Sequence, residues 1–561
     1  MSDDTAAKDF RDLIDWVVSN GGYIHPNLRF SHASTAGDAS GSSLITTTDI
    51  DPDTELLRCP HVCNISVEKA RAGFSEKFSD AVPPHALLCF FVAKQKLLGK
   101  ESFWEPYIRV LPKTFDTLLY FSDEDFQFLQ GCNLSRQHAE ERREEWQAEW
   151  KTALKALEAA GEDPAPYTWD LILWSATVLT TRSFLGSLLR PTTSSPKPTD
   201  SHPVLFPLVD SLNHRPLTPI TWSPSTTCLS LFPNTPISAS SELYNNYGPK
   251  PNAELLMGYG FSLASNPCDH YPLVINPPLS PSQRKIRTLQ LQSLSLPPSD
   301  NGQYSITIST SPIIPPSLIT LFRLLTATPN ELPLLQITPT SPISLRNELS
   351  THSQLLMALR MKLPAITNPL PHPPKNSRQK FATIYRESQA MILKSALTET
   401  KTRLHDIYST GTSSGALISL TTALSDPTFS AAIEACFGTA GESELEEEDQ
   451  EDIVFVLYIC WKYLHRSEPG NEKWAQWVER IIRDRVYGTP DDEPEEGVDE
   501  IFEAIFPAAG EAAPEVFADP EGGRWCVELV AWALRVFQGE GINAVGVGEA
   551  DADVYVIELR S

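Results

Sequence analysis

Basic residues are scarce in this chain. Its 45 Lys and Arg stand against 71 Asp and Glu, a net charge of −26. Phosphate contact needs a basic face, so no direct nucleic-acid binding is expected, and a basic protein partner is favoured. Cysteine follows no pattern either. Nine scattered thiols, an odd number, suit a reducing compartment rather than a disulfide framework. The closest pair, Cys59-x-x-x-Cys63, lacks a second Cys/His pair at zinc-site spacing and reads as two ordinary thiols. Long apolar runs are missing: the strongest, Ile453 to Trp461, is too short to cross a bilayer. The start, Met1-Ser-Asp-Asp-Thr, is acidic and begins no apolar leader. The expectation is a soluble, monomeric, intracellular protein, cytoplasmic or nuclear, with no membrane contact.

What is present is enough for globular packing. Hydrophobic residues make up 41% of the chain, and 561 residues exceed what one core holds, so two to four domains are expected. Phe10, Leu13, Ile14 and Val17 recur at helical spacing up to Asn20-Gly21-Gly22. Ser31 to Ser43 is small, polar and flexible in composition. Leu44 to Thr48 and Glu55 to Arg58 read as strands around the turn Asp51-Pro52-Asp53. Helices are expected at His85 to Leu98, Arg136 to Glu158 (with Trp146 and Trp150 on one face) and Tyr167 to Phe184. Leu188 to Pro203 is a surface linker, and Cys228 to Phe232 alternates as a strand.

Beyond Pro267, Pro, Ser and Thr punctuate the chain as far as Ser350. A short strand is expected at Gln303 to Ser309, and helices at Leu355 to Leu363 and Arg378 to about Tyr408. Glu442 to Asp452 holds eight acids and no base, which reads as a solvated linker. Two amphipathic helices follow, one through Trp474, Trp477, Val478, Ile481 and Ile482, the other through Trp525, Leu529, Trp532 and Val536. The acidic segment Pro490 to Glu500 between them reads as mobile.

The chemistry lies in two stretches. The first is Phe206-Pro-Leu-Val-Asp210-Ser-Leu-Asn213-His214. The second runs from Leu243 to Phe261 as Leu-Tyr-Asn-Asn-Tyr-Gly-Pro-Lys-Pro-Asn-Ala-Glu-Leu-Leu-Met-Gly-Tyr-Gly-Phe. In the second, Tyr244 to Tyr247 end a strand, and Gly248, Pro249 and Pro251 force a turn. Asn252 is placed to cap a short helix that Gly258 and Gly260 close. Tyr247 and Tyr259 are left flanking a bend.

Together the two stretches resemble the SET-domain lysine methyltransferases of the Rubisco large-subunit methyltransferase-like class, which includes fungal ribosomal-protein methyltransferases. The patterns shared are P-L-x-D-x-x-N-H and Y-x-x-Y-G-x-x-x-N-x-E-L-x-x-x-Y-G-F, in that order. The resemblance implies an α+β fold: a split, β-rich SET domain with a helical insertion, then a mostly helical substrate-binding domain. The divisions expected are 1–83, 84–203 (insertion and linker), 204–267 (active site), 268–441 (substrate-binding-like) and 442–561 (acidic linker and helical extension).

The resemblance also implies roles. S-adenosylmethionine is the co-substrate, and no metal is expected because no cysteine cluster follows Phe261. Tyr247 and Tyr259 would be catalytic. Leu44, Arg182, Asn213, His214, Tyr247 and Phe261 would bind the donor, Asn213 through its amide. Arg182, Asp210, Tyr259 and Phe261 would line the acceptor channel. Plainer alternatives stand beside these: a core histidine at His214, a structural ion pair at Arg182, a turn cap at Asp210 and an ordinary core tyrosine at Tyr259. The family's donor loop carries Gly-x-Gly-Leu where this chain has Gly41-Ser42-Ser43-Leu44. A positive φ at Ser43 would bring strain. The expected function is lysine methylation of a non-histone protein, a ribosomal protein or translation factor. Methylation of a histidine, and a catalytically weak binding module, remain as alternatives.

Overall fold

The computed structural model describes residues 3–31, 43–276, 303–328, 330–337, 340–448, 450–495, 497–517, 525–548 and 552–559. The chain divides into two compact units. One comprises 1–270 with 365–390, and the other 271–364 with 391–561.

The first unit begins with helix α1 (Asp3–Ser19), which buries Leu13 and Val17. Strands β1 (Tyr23–Ile24), β2 (Leu28–Ser31), β3 (Ser43–Thr46) and β4 (Leu57–Pro60) follow. Helices then interrupt the strands, beginning with α2 (Val67–Ala72), α3 (Glu76–Ala81), α4 (Pro84–Leu98), α5 (Glu105–Val110), α6 (Asp123–Phe126) and α7 (Arg136–Ala159). Helix α4 is apolar on nearly every face, and Leu88, Phe90 and Val92 are wholly buried, so it forms the centre of the insertion. Trp146 of α7 is buried, while Trp150 is partly exposed and its indole N–H donates to the Tyr167 carbonyl (2.8 Å). Helix α8 (Trp169–Arg182), capped by the Thr168 hydroxyl, delivers Arg182 at its last turn.

After α8 the strands resume as β5 (Phe184–Leu185), β6 (Pro203–Val204), β7 (Asn213–His214), β8 (Ile220–Pro224), β9 (Cys228–Pro233) and β10 (Tyr244–Asn245). The main antiparallel sheet runs β1-β4-β9-β8, so chain from before and after the insertion is hydrogen-bonded side by side. β7 and β10 pair in parallel, Asn213 opposite Tyr244 and His214 opposite Asn245. This pairing places the two sequence motifs against each other.

Helix α9 (Asn252–Tyr259) completes the second motif, and Asn252 does not cap it. It is the first helical residue, after Pro251, and it is wholly buried. Its side chain donates to the Leu263 carbonyl (2.9 Å) and to Asp269 Oδ2 (3.0 Å), and accepts from Leu263 N–H (2.9 Å). The capping acceptor is Asp269, which takes the Asn252 backbone N–H (2.9 Å) and also a hydrogen bond from Ser388. An acceptor from a distant turn thus satisfies the helix start. Gly258 lies inside the helix. Gly260 ends it at φ +83°, where a Cβ would sit 2.7 Å from the Asp116–Thr117 backbone, so only glycine fits.

The second unit contains the antiparallel sheet β13-β15-β14, where β11 (His270–Ile275) and β12 (Tyr304–Ser309) pair separately from β13 (Leu417–Ser419), β14 (Gly541–Ala544) and β15 (Val554–Glu558). Its core is helical and aromatic, with Trp477 and Trp532 wholly buried. Glu558 on β15 accepts the N–H groups of Leu345 (3.0 Å) and Arg346 (2.9 Å), capping the helix Leu345–Thr367. The acidic run is not a free linker. It forms the helix Glu442–Glu447 and, through Glu451 and Asp452, the first turn of Glu451–Leu464. Acids are favourable at helix starts, and the apolar residues after them are buried. In the acidic segment 490–500, Arg535 pairs with Glu495 at 3.0 Å, and Val498 is buried.

Replacing Asn252 by Ala leaves the buried Leu263 carbonyl and N–H without their side-chain partner and removes one donor from Asp269, which keeps Ser388 and the residue-252 backbone N–H. We expect a loss of about 3 kcal/mol, from unsatisfied buried polar groups at ~1–3 kcal/mol each. It would be read as a lower urea midpoint of tryptophan fluorescence.

Candidate active site

The turn after β10 sets the position of Tyr247. Asn246 Oδ1 accepts the Gly248 N–H (3.0 Å), which bends the chain sharply behind the tyrosine. Tyr247 then sits between two rings. It stacks on His214 (centroids 4.8 Å, 16°) and on Tyr259 (5.2 Å, 27°). Tyr259 meets Phe261 edge-on at 6.3 Å, and Phe261 is tilted against His214 at 6.4 Å. Polar bonds fix the stack: the Tyr247 hydroxyl donates to the Leu212 carbonyl (2.6 Å), and its N–H donates to His214 Nδ1 (3.1 Å). His214 Nδ1 is therefore an acceptor, and burial pushes the imidazole down to about 4, so the ring is neutral at ordinary pH. It orients Tyr247 rather than moving protons.

Beside the stack lies a buried charge pair. The Asp210 side chain is fully buried in a 3₁₀ turn, Val209–Ser211. Its Oδ2 accepts from the Tyr107 hydroxyl (2.7 Å) and from Arg182 Nη1 (3.4 Å), and Arg182 also donates to the Asp210 carbonyl (3.1 Å). Burial drives the carboxyl above its usual range, against the pull of Arg182 and Tyr107. Burial works most strongly against the Arg182 charge, but Asp210, Tyr107 and Tyr247 together offset it and the guanidinium is held as a cation. Asp210 Oδ1 has no partner among the described residues.

Two clefts meet at these side chains. One, of about 200 Å³, is lined by Asn213, His214 and Phe261. The other, of about 720 Å³, is lined by Phe184, Trp222 and Lys250. Arg182, Asp210, Tyr247 and Tyr259 belong to the walls of both. The expected residues therefore converge, with one exception. Leu44 lies wholly buried in β3, its carbonyl accepting from Leu243 N–H (2.7 Å), and lines neither cleft. Gly41 and Ser42 lie outside the described residues. Ser43 is in the extended strand β3, opposite Ser31, so the strain that a positive φ would bring is not there. The Asn213 amide is also not directed as expected: its Nδ2 donates to Glu242 Oε1 (2.7 Å). Sequence reasoning missed Tyr107, Lys250 and Trp222. Tyr107 lies on α5, and nothing local marked its hydroxyl as facing Asp210. Among the described residues, no group of three or more His, Cys, Asp or Glu could hold a metal ion.

This α+β architecture is that of known SET domains. The solved SET domain of LSMT bound to MeLysine and AdoHcy aligns over 71% of this chain and 93% of that one, with a TM-score of 0.56 at 20% identity. In sequence, the ribosomal lysine N-methyltransferase set10 of Schizosaccharomyces pombe is 32% identical over 563 residues, 95% of this chain and 98% of that protein. Ribosomal lysine N-methyltransferase 1 of Saccharomyces cerevisiae is 28% identical over 55% of each chain. No protein-family model matches the chain. Fold and site define a SET-type protein of the Rubisco large-subunit methyltransferase class. The chain belongs to the S-adenosylmethionine-dependent protein-lysine N-methyltransferases of that class.

A free imidazole titrates near ~6.5, and His214 does so at about 4. Between these values the unfolded chain binds more protons at this position, so the contribution of His214 to stability is full above pH ~6.5 and is lost as pH falls towards 4. Comparing urea midpoints of wild type and His214→Gln across that range should show a shallower pH slope in the variant.

Proposed function

We propose that this enzyme methylates a lysine of a basic, non-histone protein, either a ribosomal protein or a translation factor, with the narrower cleft taking the donor and the wider one the acceptor. The observation that carries this reading is the shared wall: one aromatic stack and one ion pair border both clefts, as an in-line transfer between two bound molecules requires. The names of relatives in two yeasts support the ribosomal substrate class. The net charge of −26 supports a basic one.

S-adenosylmethionine, when bound, supplies a methyl group on a cationic sulfur. The oxygens beside the shared wall suit such a ligand: Asp210 Oδ1 is a buried acceptor without a partner among the described residues, and the Tyr247 oxygen, donating to Leu212, keeps its own lone pairs. Weak C–H···O contacts to a polarised methyl are available there. Asn213, with its amide engaged by Glu242, contributes through its backbone and its hold on β7. His214 fixes Tyr247 from below, and Phe261 closes the aromatic side. On the acceptor side, Tyr259 and Tyr247 flank the lysine stem. A lysine with an unperturbed pKa near ~10.4 must be neutral to attack. Desolvation between the rings, next to the Arg182 cation, pushes it that way.

Labelled S-adenosylmethionine should methylate a discrete band in a lysate prepared without this protein, and the modified residue would be identified by mass spectrometry. Tyr247→Phe and Asn213→Ala should each lower the rate about 100-fold, the scale of a lost alignment in an active site. With the purified substrate, kcat/KM should fall as salt rises, because charge steering is screened. A salt-independent kcat/KM would remove the basic-substrate part of the reading.

A further inference from the structure

The wider cleft is not acidic, although the chain as a whole is. Its charged lining residues are Arg182, Lys250 and Asp210. Asp210 is engaged by Arg182 and Tyr107, so this lining sets two cations against one acid that is already paired. Lys250 is paired with Glu254 and lies 5.5 Å over the Tyr259 ring, beside the passage.

The opposite side of the cleft is apolar and has few other contacts. Leu185 is 61% exposed. It pairs across β5 and β6 with Pro203, so both side chains share one face. Ile220 and Trp222 alternate on β8 and therefore point the same way. The Trp222 indole N–H is satisfied by Asn245 Oδ1 (2.9 Å), and Phe184 packs edge-on against Trp222 at 5.4 Å. With Leu188, these residues form an apolar shelf continuous with the Tyr247–Tyr259 passage.

We infer that this shelf is a specificity subsite, and that it binds an apolar side chain next to the acceptor lysine in the substrate polypeptide. The inference rests on the lysine-transfer reading above. A leucine- or phenylalanine-sized side chain beside the acceptor would cover Leu185 and Trp222. A lysine or arginine there would bring its charge onto an apolar surface facing Arg182 and Lys250. The basic character that suits the whole enzyme must then lie in the substrate away from the residue next to the acceptor.

The test uses the full chain, labelled S-adenosylmethionine and synthetic peptides. The peptides differ only in the residues flanking one lysine, which are Leu, Phe, Ala, Lys or Asp. Leu- and Phe-flanked peptides should exceed Lys- and Asp-flanked ones about tenfold or more in kcat/KM, the scale of one apolar contact in a pocket. Leu185→Asp, at an exposed position, should abolish that preference and raise activity on the Lys-flanked peptide, with donor binding by calorimetry unchanged. Transfer that is equal across all flanks overturns the subsite and leaves the enzyme reading intact. The same holds for a Leu185→Asp variant with wild-type preference. Donor binding without transfer to any peptide, nor to any protein of a lysate lacking this enzyme, overturns both.

Discussion

The two-residue parallel ladder between β7 and β10 is the constraint on which the site depends. It is short, yet it brings Asn213-His214 beside the strand that leads into Tyr247. The contact is then locked through the side chains, by the hydrogen bond from Tyr247 N–H to His214 Nδ1 and by the stacked rings. A pairing of two residues offers little free energy by itself. Its stability comes from what surrounds it: the wholly buried Asn252–Asp269 network holding α9, and Gly260, where a Cβ would sit 2.7 Å from the Asp116–Thr117 backbone. Disturbing any one of these moves Tyr259 and Phe261 relative to Tyr247, and alignment is most of what a methyl-transfer site has to provide.

A second constraint is electrostatic. Burying Asp210 costs desolvation, and Arg182 with Tyr107 offsets it only at one carboxylate oxygen. The remaining oxygen is an acceptor without a partner among the described residues, on a residue that lines both clefts. Such a group is expensive for a fold to keep and so is expected where a ligand completes it. Charge therefore acts at two ranges in this enzyme. The net −26 acts over the whole surface, while the wider cleft is lined by two paired cations, one paired acid and an apolar shelf. These are compatible, because long-range steering brings a basic partner near and short-range packing selects which lysine enters.

Much of this was legible in the sequence. The helices α4, α7 and α8 followed from apolar spacing and their breakers, and the two strands either side of Asp51-Pro52-Asp53, which join different sheets, from β-branched residues and the turn. Motif residues Tyr247, Tyr259, Asn213, His214, Phe261, Arg182 and Asp210 converge in space. Local reasoning went wrong where a distant partner decides. Asn252 looked like a cap, but Asp269, 17 residues later, takes that place and frees Asn252 for the core. Composition misread Glu442 to Asp452 as a linker, because it weighed charge and not the buried Leu445 or the apolar helix that follows.

The sequence by itself determined the elements and the chemistry of the motifs, since periodicity, breakers and residue types are local properties of the chain. Tertiary structure alone decided which groups meet. It set Tyr107 against Asp210, 103 residues apart, and committed the Asn213 amide to Glu242. It drew Leu44 into the core and laid Leu185 open beside the passage. The physical reason is that hydrogen-bond satisfaction and exposure are properties of a neighbourhood, and a folded neighbourhood is assembled from segments whose separation along the chain carries no signal of their contact.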